Sequence, residues 1–290
     1  PPDPRAHNHN KTLTRHSSLI RIDNVSKSFG GLQAVRGVSF EVAQGSITGL
    51  IGPNGAGKSS LFNIVAGLFP PSSGRVLLDG QDITGLPPHK LFHRGLVRTF
   101  QIPHEFSRMT VRENLMVVPP GQSGENLFKT WLRWGKVKQQ DSEVLDRVDD
   151  VLKFLEITHV ADELAGNLSG GQKKLLDLGR TMMTDAKMVL LDEPGAGVNR
   201  TLLGKIREAI LRLNRERGYT FCVIEHDMDL ISALCEPVHV MANGELIASG
   251  SMETLRQNEE VREAYLGGGA SGRMGEETPR QNSTDEGASS

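Results

Sequence analysis

The sequence predicts an α/β protein with a parallel central sheet and a helical subdomain inserted into it. Compact apolar runs alternate along the chain with stretches of helical periodicity, in the pattern of buried strands connected by helices. The runs predicted as strands are residues 46–51, 188–191, 220–224 and 237–242. The helical stretches are residues 58–67, 201–216 and 228–234. This alternation favours parallel strands with helices packed on the sheet.

The middle of the chain, about residues 101–186, has a different pattern. It contains no comparable apolar run and shows helical periodicity at residues 141–157 and 169–184. We therefore expect a helical subdomain here, inserted into the core. Ahead of the core, residues 19–25 and 38–42 are predicted as two further short strands.

Both ends of the chain differ in composition from the region between them. Residues 1–18 mix Pro, His, Asn, Lys and Ser without apolar periodicity, and residues 268–290 are rich in Gly, Ser and charged side chains. Such segments bury too little apolar surface to offset the entropy lost on ordering. We expect two disordered tails on one domain of residues 19–267.

Composition and charge narrow the classes of protein to consider. Lys and Arg number 33 against 35 Asp and Glu, a net charge of −2, which gives no electrostatic reason to expect a nucleic-acid-binding protein. No apolar run approaches the roughly 20 residues that span a bilayer, and the start of the chain lacks the apolar stretch of a signal peptide. Any membrane role is therefore expected to run through a partner. Cys222 and Cys235 match no metal-ligand spacing and are expected to be buried, reduced thiols, as suits a reducing compartment.

A glycine-rich loop follows the strand at 46–51 and opens the helix at 58–67. It fits the phosphate-loop pattern in the strand-loop-helix context that this pattern requires. Glycines let amide N–H groups point at phosphate oxygens, Lys58 adds a positive charge, and Ser59 offers a hydroxyl to Mg²⁺. The alternative is a turn without function, and a chance match is roughly a one-in-a-hundred event. The predicted nucleotide-binding residues are Gly52, Pro53, Asn54, Gly55, Ala56, Gly57, Lys58, Ser59 and Ser60.

Two adjacent carboxylates end the predicted strand at 188–191. Asp192 is expected to hold Mg²⁺ through its water shell, and Glu193 to act beside the γ-phosphate as general base or as the group that orients the attacking water. An acidic turn on the way out of a strand is the alternative. The phosphate loop upstream favours the catalytic interpretation.

A third motif identifies the family. Residues 168–172, Leu-Ser-Gly-Gly-Gln, begin a predicted helix with a capping Ser169 and with glycines that are expected to be exposed and able to receive phosphate. This pentapeptide is identical to the signature motif of ABC ATPases. The phosphate loop, the signature and the Asp-Glu pair also occur in the order of that family. The chain thus resembles an ABC ATPase over residues 19–267.

The resemblance implies a fold and a mode of action. The fold is a P-loop NTPase core of RecA-like type, with an inserted α-helical subdomain and an N-terminal antiparallel β region. The ligands are ATP and Mg²⁺. The working form is a dimer with an identical or homologous ATPase subunit, in which the signature of one chain closes over the γ-phosphate bound to the other. The residues that would act in trans are Ser169, Gly170, Gly171 and Gln172.

Further residues match the family one at a time. Gln101, in Arg-Thr-Phe-Gln, is similar to the Q-loop glutamine that senses Mg²⁺ and the attacking water. His226, in Glu-His-Asp-Met, resembles the switch histidine that contacts the γ-phosphate and helps to position the water. Phe29 matches the A-loop aromatic that stacks on adenine, with a buried core Phe as the alternative. The expected catalytic residues are Glu193, His226, Gln101 and Lys58. The expected metal site is Ser59, Gln101 and Asp192.

The resemblance is closest to the ATPase subunits of uptake systems for branched-chain amino acids. Asn199 stands where many ABC ATPases have Asp, and Asn is familiar in that branch. Lys173 and Lys174 replace commoner Gln or Arg residues, which leaves the central chemistry untouched. Four alternatives stay open: the urea and amide importers, the lipopolysaccharide-export ATPase with its similar Tyr-Leu-Gly end, a soluble ABC ATPase acting on DNA or ribosomes, and a non-hydrolysing regulator.

The resemblance also implies partners and a location. Such subunits bind transmembrane permease subunits at the cytoplasmic side of the membrane, and through them act indirectly with a solute-binding protein, without nucleic acid. Residues 102–109 lie where this family grips the coupling helices of the permease, so we expect the docking surface there. Because ATP would bind the closed dimer more tightly than the open one, its hydrolysis would drive the permease between two states.

Overall fold

The computed structural model describes residues 17–99, 105–119 and 134–266, which form two sheets with helices packed on them. The strands are β1 (Ser18–Phe29), β2 (Leu32–Ala43), β3 (Ile47–Ile51), β4 (Ser73–Leu78), β5 (Gln81–Asp82), β6 (Leu96–Arg98), β7 (Met188–Asp192), β8 (Thr220–Ile224), β9 (Val238–Ala242) and β10 (Glu245–Gly250). The helices are α1 (Lys58–Val65), α2 (Pro88–Phe92), α3 (Val111–Met116), α4 (Trp134–Phe154), α5 (Gly170–Met182), α6 (Arg200–Arg217), α7 (Met228–Leu234), α8 (Met252–Gln257) and α9 (Glu259–Leu266).

The central sheet has the strand order β10-β9-β3-β8-β7-β6. Its neighbouring strands are parallel, except that β10 runs antiparallel to β9. A second sheet, in the order β2-β1-β4-β5, is antiparallel throughout. The predicted parallel α/β core and the N-terminal antiparallel region are therefore confirmed.

Every residue of β3, β7 and β8 is buried, because the central sheet is covered on both faces. Alternate side chains of one strand enter different cores. Leu190 and Cys222 pack with α1 and the antiparallel sheet. Leu191 and Val223 pack with the helices on the opposite face. Burial on both faces is why these strands are visible in the sequence as continuous apolar runs.

Four strands lie outside the predicted set, namely β4, β5, β6 and β10. β4 and β10 are partly exposed, so they lack the continuous apolar run of a buried strand. β5 and β6 are too short for a periodic pattern to be recognised. β6 nevertheless extends the parallel sheet beside β7, where Arg98 is paired with Leu190.

Helices α3, α4 and α5 lie between β6 and β7, in the stretch for which a helical subdomain is expected. α4 begins before its predicted start at residue 141 and ends at Phe154, shortly before Glu156 adopts a left-handed backbone with φ 57°. The buried faces of the three helices join one core with α6 and the central sheet. Residues 100–104, 120–133 and both predicted tails, apart from residues 17 and 18, lie outside the described residues. The domain boundaries and the disorder of the tails therefore stay predictions.

Both cysteines are free and buried, as the sequence predicts. Burial raises the pKa of the Cys222 thiol to about 12 and also raises the pKa of Cys235. Both thiols are therefore protonated core groups at neutral pH. Among the described residues, no helix is long and apolar enough to cross a lipid bilayer.

A buried histidine makes the stability of the fold depend on pH. His239 of β9 lies against the Phe40 ring, with 4.4 Å between ring centroids, and its Nδ1 is 2.7 Å from Ser249 Oγ. Burial lowers its pKa from 6.5 to about 4. Between these values the unfolded chain binds more protons than the folded chain, so the free energy of unfolding falls as the pH falls.

We predict that lowering the pH from 7.5 to 5 removes about 2 kcal/mol of unfolding free energy through His239 alone. Urea unfolding at the two pH values measures this when the native chain is compared with His239→Gln, which cannot titrate. The exposed His89→Gln variant is the control and should keep the native pH dependence. An equal pH dependence in the native chain and in His239→Gln would contradict the prediction.

Candidate functional site

The loop between β3 and α1 is shaped by close backbone contacts. Gly52 and Gly57 have positive φ angles of 150° and 96°. A Cβ atom at Gly52 would overlap the carbonyl oxygen of Met241, and one at Gly57 would overlap that of Ala34, so only glycine fits either position. Gly57 also gives α1 no side-chain cap, which leaves the first N–H groups of the helix suited to an anion.

Lys58 is the first residue of α1 and is 6% exposed. Its Nζ donates to the carbonyl oxygens of Gly52 at 2.7 Å and Pro53 at 3.0 Å. Burial lowers the pKa of Lys58, and the negative charges of Glu193 and Asp192 oppose that shift. The ammonium group is thus held against the loop, within the field of two carboxylates. The exposed residues of the same stretch are Asn54, Gly55 and Ser59.

Asp192 ends β7 with its carboxylate nearly buried. Its Oδ2 accepts a hydrogen bond from Arg98 Nη2 at 2.6 Å. Arg98 ends the neighbouring strand β6 and also donates to the side chain of Asn63 in α1. The guanidinium group therefore connects the end of β7 to the helix of the phosphate loop. Sequence reasoning misses Arg98, although it stands in the same Arg-Thr-Phe-Gln segment that singles out Gln101.

Glu193 follows with a left-handed backbone, φ 50°, which is uncommon for a residue with a side chain. Its N–H donates to Ile224 O at 2.9 Å, and its carbonyl oxygen accepts from Lys174 Nζ at 2.9 Å. Its carboxylate Oε1 lies 3.1 Å from Nε2 of His226. The structure brings Glu193 and His226 together because β7 and β8 are parallel neighbours that end at the same edge of the sheet.

Lys174 is a second basic group whose contact with the site the sequence does not predict, although its departure from the family pattern is visible there. It lies in the first half of α5, where Lys173 separates it from the signature motif. Burial lowers its pKa, whereas nearby carboxylates, among them Asp177 and Glu225, oppose that shift. Its bond to the Glu193 carbonyl links the signature helix to the end of β7 within one chain. The local sequence does not predict this hydrogen bond, because a lysine that faced solvent on α5 would be flanked by the same residues along the chain.

Ser169 caps α5 as predicted and forms a capping box with Gln172. Gln172 N–H donates to Ser169 Oγ at 3.4 Å, and Ser169 N–H donates to Gln172 Oε1 at 3.0 Å. Ser169 and Gly170 are exposed, but Gly171 is buried. A Cβ atom at residue 171 would overlap Leu202 of α6. The expectation of exposed glycines is therefore wrong for Gly171, which allows α5 to pack closely on α6.

Phe29 ends β1 with 45% of its surface exposed. Its ring meets the Phe69 ring edge-on, with 5.2 Å between centroids. Lys27 Nζ lies 5.3 Å from the Phe29 centroid and 5.0 Å from the Phe69 centroid. The exposure excludes the alternative of a buried core Phe29, and Phe69 is a further aromatic that the sequence does not single out.

Gln101 lies outside the described residues, so its roles stay predictions.

The chain is similar to known ATP-binding cassettes along most of its length. A family model described as ABC transporter matches residues 35–196, and one described as branched-chain amino acid ATP-binding cassette transporter matches residues 245–271. A probable branched-chain amino acid transport ATP-binding protein LivG of Archaeoglobus fulgidus is 42% identical over 250 residues, which cover 86% of this chain and 95% of that protein. The high-affinity branched-chain amino acid transport ATP-binding protein BraF of Pseudomonas aeruginosa is 35% identical over 249 residues, which cover 86% and 98%.

Two solved structures of ATP-binding cassettes also match the chain. A nucleotide-free ATP-binding cassette from an ABC transporter matches with a TM-score of 0.74 at 38% identity, over 86% of this chain and 99% of that chain. An ATP-binding cassette of an ABC transporter in its ADP conformation matches with a TM-score of 0.73 at 37% identity, over 87% and 99%. Because the first family model spans more than half of the chain and each relative is matched over nearly its whole length, the chain belongs to the ABC transporter family, as an ATP-binding cassette that hydrolyses ATP.

Proposed function

We propose that this cassette powers an ABC importer of branched-chain amino acids, as one half of a dimer that binds ATP between its two chains. The main support for the proposal is the distance of 3.1 Å between Glu193 Oε1 and His226 Nε2. This pair lies at the edge of the sheet from which the phosphate loop also extends. A carboxylate and an imidazole in contact there suit the activation of water for attack on a γ-phosphate. The names of the Archaeoglobus and Pseudomonas relatives support the substrate class.

ATP binding uses two surfaces of the chain. The exposed Phe29 ring stacks on adenine, with Phe69 and Lys27 beside it. The phosphates lie in the loop of residues 52–60, where N–H groups at the start of α1 receive their oxygens. Lys58 then exchanges its two carbonyl partners for phosphate oxygens, whose negative charge offsets the cost of burying the ammonium group.

The chain offers oxygen ligands that suit Mg²⁺. Ser59 is exposed in the first turn of α1, and Asp192 ends β7 with one carboxylate oxygen bonded to Arg98. A hydroxyl and a carboxylate are hard donors, and Mg²⁺ uses few protein ligands where phosphates and water supply the others. We infer that Ser59 and Asp192 hold the ion, with Gln101 as a third candidate. When bound, Mg²⁺ neutralises charge on the β- and γ-phosphate oxygens.

Hydrolysis requires a water molecule in line with the γ-phosphorus. Glu193 orients this water and accepts its proton as the new P–O bond forms and the bond to ADP breaks. His226 contacts the γ-phosphate through its ring and keeps Glu193 in place through the Nε2 contact. Lys58 stabilises the charge on the phosphate oxygens without a proton transfer.

The signature motif acts on the partner cassette, which is an identical or homologous chain. Ser169 and Gly170 are exposed at the N-terminus of α5, where the helix dipole favours an anion. In the proposed dimer they close over the γ-phosphate held by the phosphate loop of the partner. Gln172 stabilises the start of α5 through its capping box with Ser169, and Gly171 allows the helix to pack closely on α6.

Residues 102–109 are the proposed docking surface for the transmembrane permease subunits. Within the described part of this segment Phe106 is 50% exposed, and the nearby Leu164 is 45% exposed. The segments that carry these two side chains are joined by backbone hydrogen bonds: Ala165 N–H donates to Met109 O at 2.9 Å, and Gly166 N–H donates to Ser107 O at 3.0 Å. Exposed apolar side chains on a fixed backbone suit an apolar partner helix.

Through the permease the chain would lie at the cytoplasmic side of the membrane and act indirectly with a solute-binding protein, without nucleic acid.

Glu193→Gln should reduce steady-state phosphate release by about a hundredfold or more, because the amide keeps the shape of the side chain but cannot accept a proton. ATP binding should survive, so the variant should accumulate as an ATP-bound dimer in size-exclusion chromatography. The exposed Glu208→Gln variant is the matched control. Native turnover by Glu193→Gln would contradict the assigned role. If neither protein hydrolyses ATP nor dimerises alone, a dimer of identical chains is wrong and a different partner cassette is required.

Phe106→Asp and Leu164→Asp should each prevent recovery of permease subunits with the cassette, because a charge would be buried in an apolar contact. Affinity purification of the tagged chain from native membranes, followed by mass spectrometry, measures the recovery. Leu32→Asp is the control, since Leu32 is 67% exposed on the antiparallel sheet. Undiminished recovery would contradict the docking surface, and recovery of only ribosomes or nucleic acid would contradict the transport function.

A further inference from the structure

A buried carboxylate that the proposed mechanism does not use lies beside the hydrolytic residues. Glu225 directly follows β8 and is 4% exposed. Its Oε1 accepts the N–H of Gly195 at 2.5 Å. Its Oε2 accepts the N–H groups of His226 at 2.9 Å and Asp227 at 3.3 Å. One carboxylate thus joins two loops, the one that follows β7 and the one that follows β8.

The contact with Gly195 depends on close packing. A Cβ atom at residue 195 would lie 2.8 Å from Glu225 Oε1 and 3.0 Å from the Leu203 side chain. With a larger residue, either this loop or the Glu225 carboxylate would have to shift, which would disturb the bond between them. The loop ends at Asn199, which caps α6 by accepting the N–H of Leu202 at 2.9 Å. The loop is thus held at both ends, by Glu225 at its start and by its own helix cap at its finish.

The bonds of Glu225 act on backbone positions. A carboxylate is costly to bury unless its oxygens are hydrogen-bonded, and charge-assisted bonds from amides are short and directional. Fixing the backbone of His226 limits where its ring can meet Glu193. Glu193 is fixed from the other side, because its N–H donates to Ile224 O, one residue before Glu225. Lys174 supplies a positive charge near the carboxylate.

We propose that Glu225 is a positioning residue for ATP hydrolysis, which holds the His226 backbone so that the imidazole contacts Glu193 and ties this pair to the Gly195 loop. The proposal rests on the proposed roles of Glu193 and His226. Since one side chain joins both loops, the hydrolytic pair is in place only when the loop of residues 195–199 is in place. Displacement of the pair slows the chemical step, whereas the phosphate loop keeps its geometry and its affinity for nucleotide.

The test is Glu225→Gln in the full chain, measured in the assembly that hydrolyses ATP. One oxygen becomes an NH₂ group that faces backbone N–H donors, so one of the two loops loses its acceptor. We expect kcat to fall by about tenfold to a hundredfold, with the KM for ATP and the Kd for MgADP within about twofold of the native values. Asp229→Asn removes an exposed carboxylate from the first turn of α7 and should keep all native values.

A double variant separates positioning from a general loss of structure. In a His226→Ala background, Glu225→Gln should lower kcat by less than about twofold, because the residue that it positions is already absent. An equal reduction in both backgrounds would overturn the proposal. A parallel loss of kcat and of MgADP binding in a folded Glu225→Gln variant would also overturn it, since Glu225 would then support nucleotide binding as well as the hydrolytic pair.

Gly195→Ala keeps the proposal testable if Glu225→Gln does not fold. The added methyl group would lie 2.8 Å from Glu225 Oε1, so the loop or the carboxylate must shift and the Gly195 bond is disturbed, while Glu225 and both hydrolytic side chains remain. We expect the same selective fall in kcat, and a native kcat would overturn the proposal. Full turnover by Glu193→Gln would instead overturn the proposed function, whatever the result at residue 225.

Discussion

The parallel register of β3, β7 and β8 decides where each group of the site lies. Parallel strands end at one edge of a sheet, so the loops that follow these three strands are neighbours. Asp192 pairs with Ile224, and the bond from Glu193 N–H to Ile224 O continues the ladder by one step. A shift of one residue would exchange the faces on which Asp192 and Glu193 lie, because side chains alternate along a strand. Because these strands are buried on both faces, their register is fixed, and so are the positions of Asp192 and Glu193.

Charged groups are concentrated at this edge, and their hydrogen bonds restrict how the loops can move. Asp192 is bonded to Arg98, Lys58 to carbonyl oxygens of its own loop, and Glu225 to amides of two loops. A buried charge that loses its partner costs several kcal/mol, so these contacts favour one arrangement over its alternatives. In the proposed mechanism, these fixed charges and dipoles surround the position of the reacting phosphate, and such a prearranged site lowers the barrier electrostatically.

Helix α5 connects the regions that a transport cycle has to couple. Ser169 at its start belongs to the signature, and Lys174 reaches the carbonyl oxygen of Glu193. Between them in sequence, Lys173 forms an ion pair of 2.7 Å with Glu105, which adjoins the exposed Phe106 of the proposed docking surface. The helix therefore adjoins the proposed surface for a second cassette, the proposed docking surface for a permease and the end of β7.

Features that depend on neighbours along the chain follow from the sequence alone. The strands buried on both faces are continuous apolar runs, and the phosphate loop and the Ser169 cap obey local rules of backbone geometry. Short or half-exposed strands such as β4, β6 and β10 lack such a pattern. The inclusion of Arg98, Lys174 and Glu225 in the site, and the burial of Gly171, emerge only in the folded chain, because each depends on contacts with elements far away in sequence. A lysine on a helix has the same local sequence whether it faces solvent or the end of a strand, and packing alone distinguishes the two.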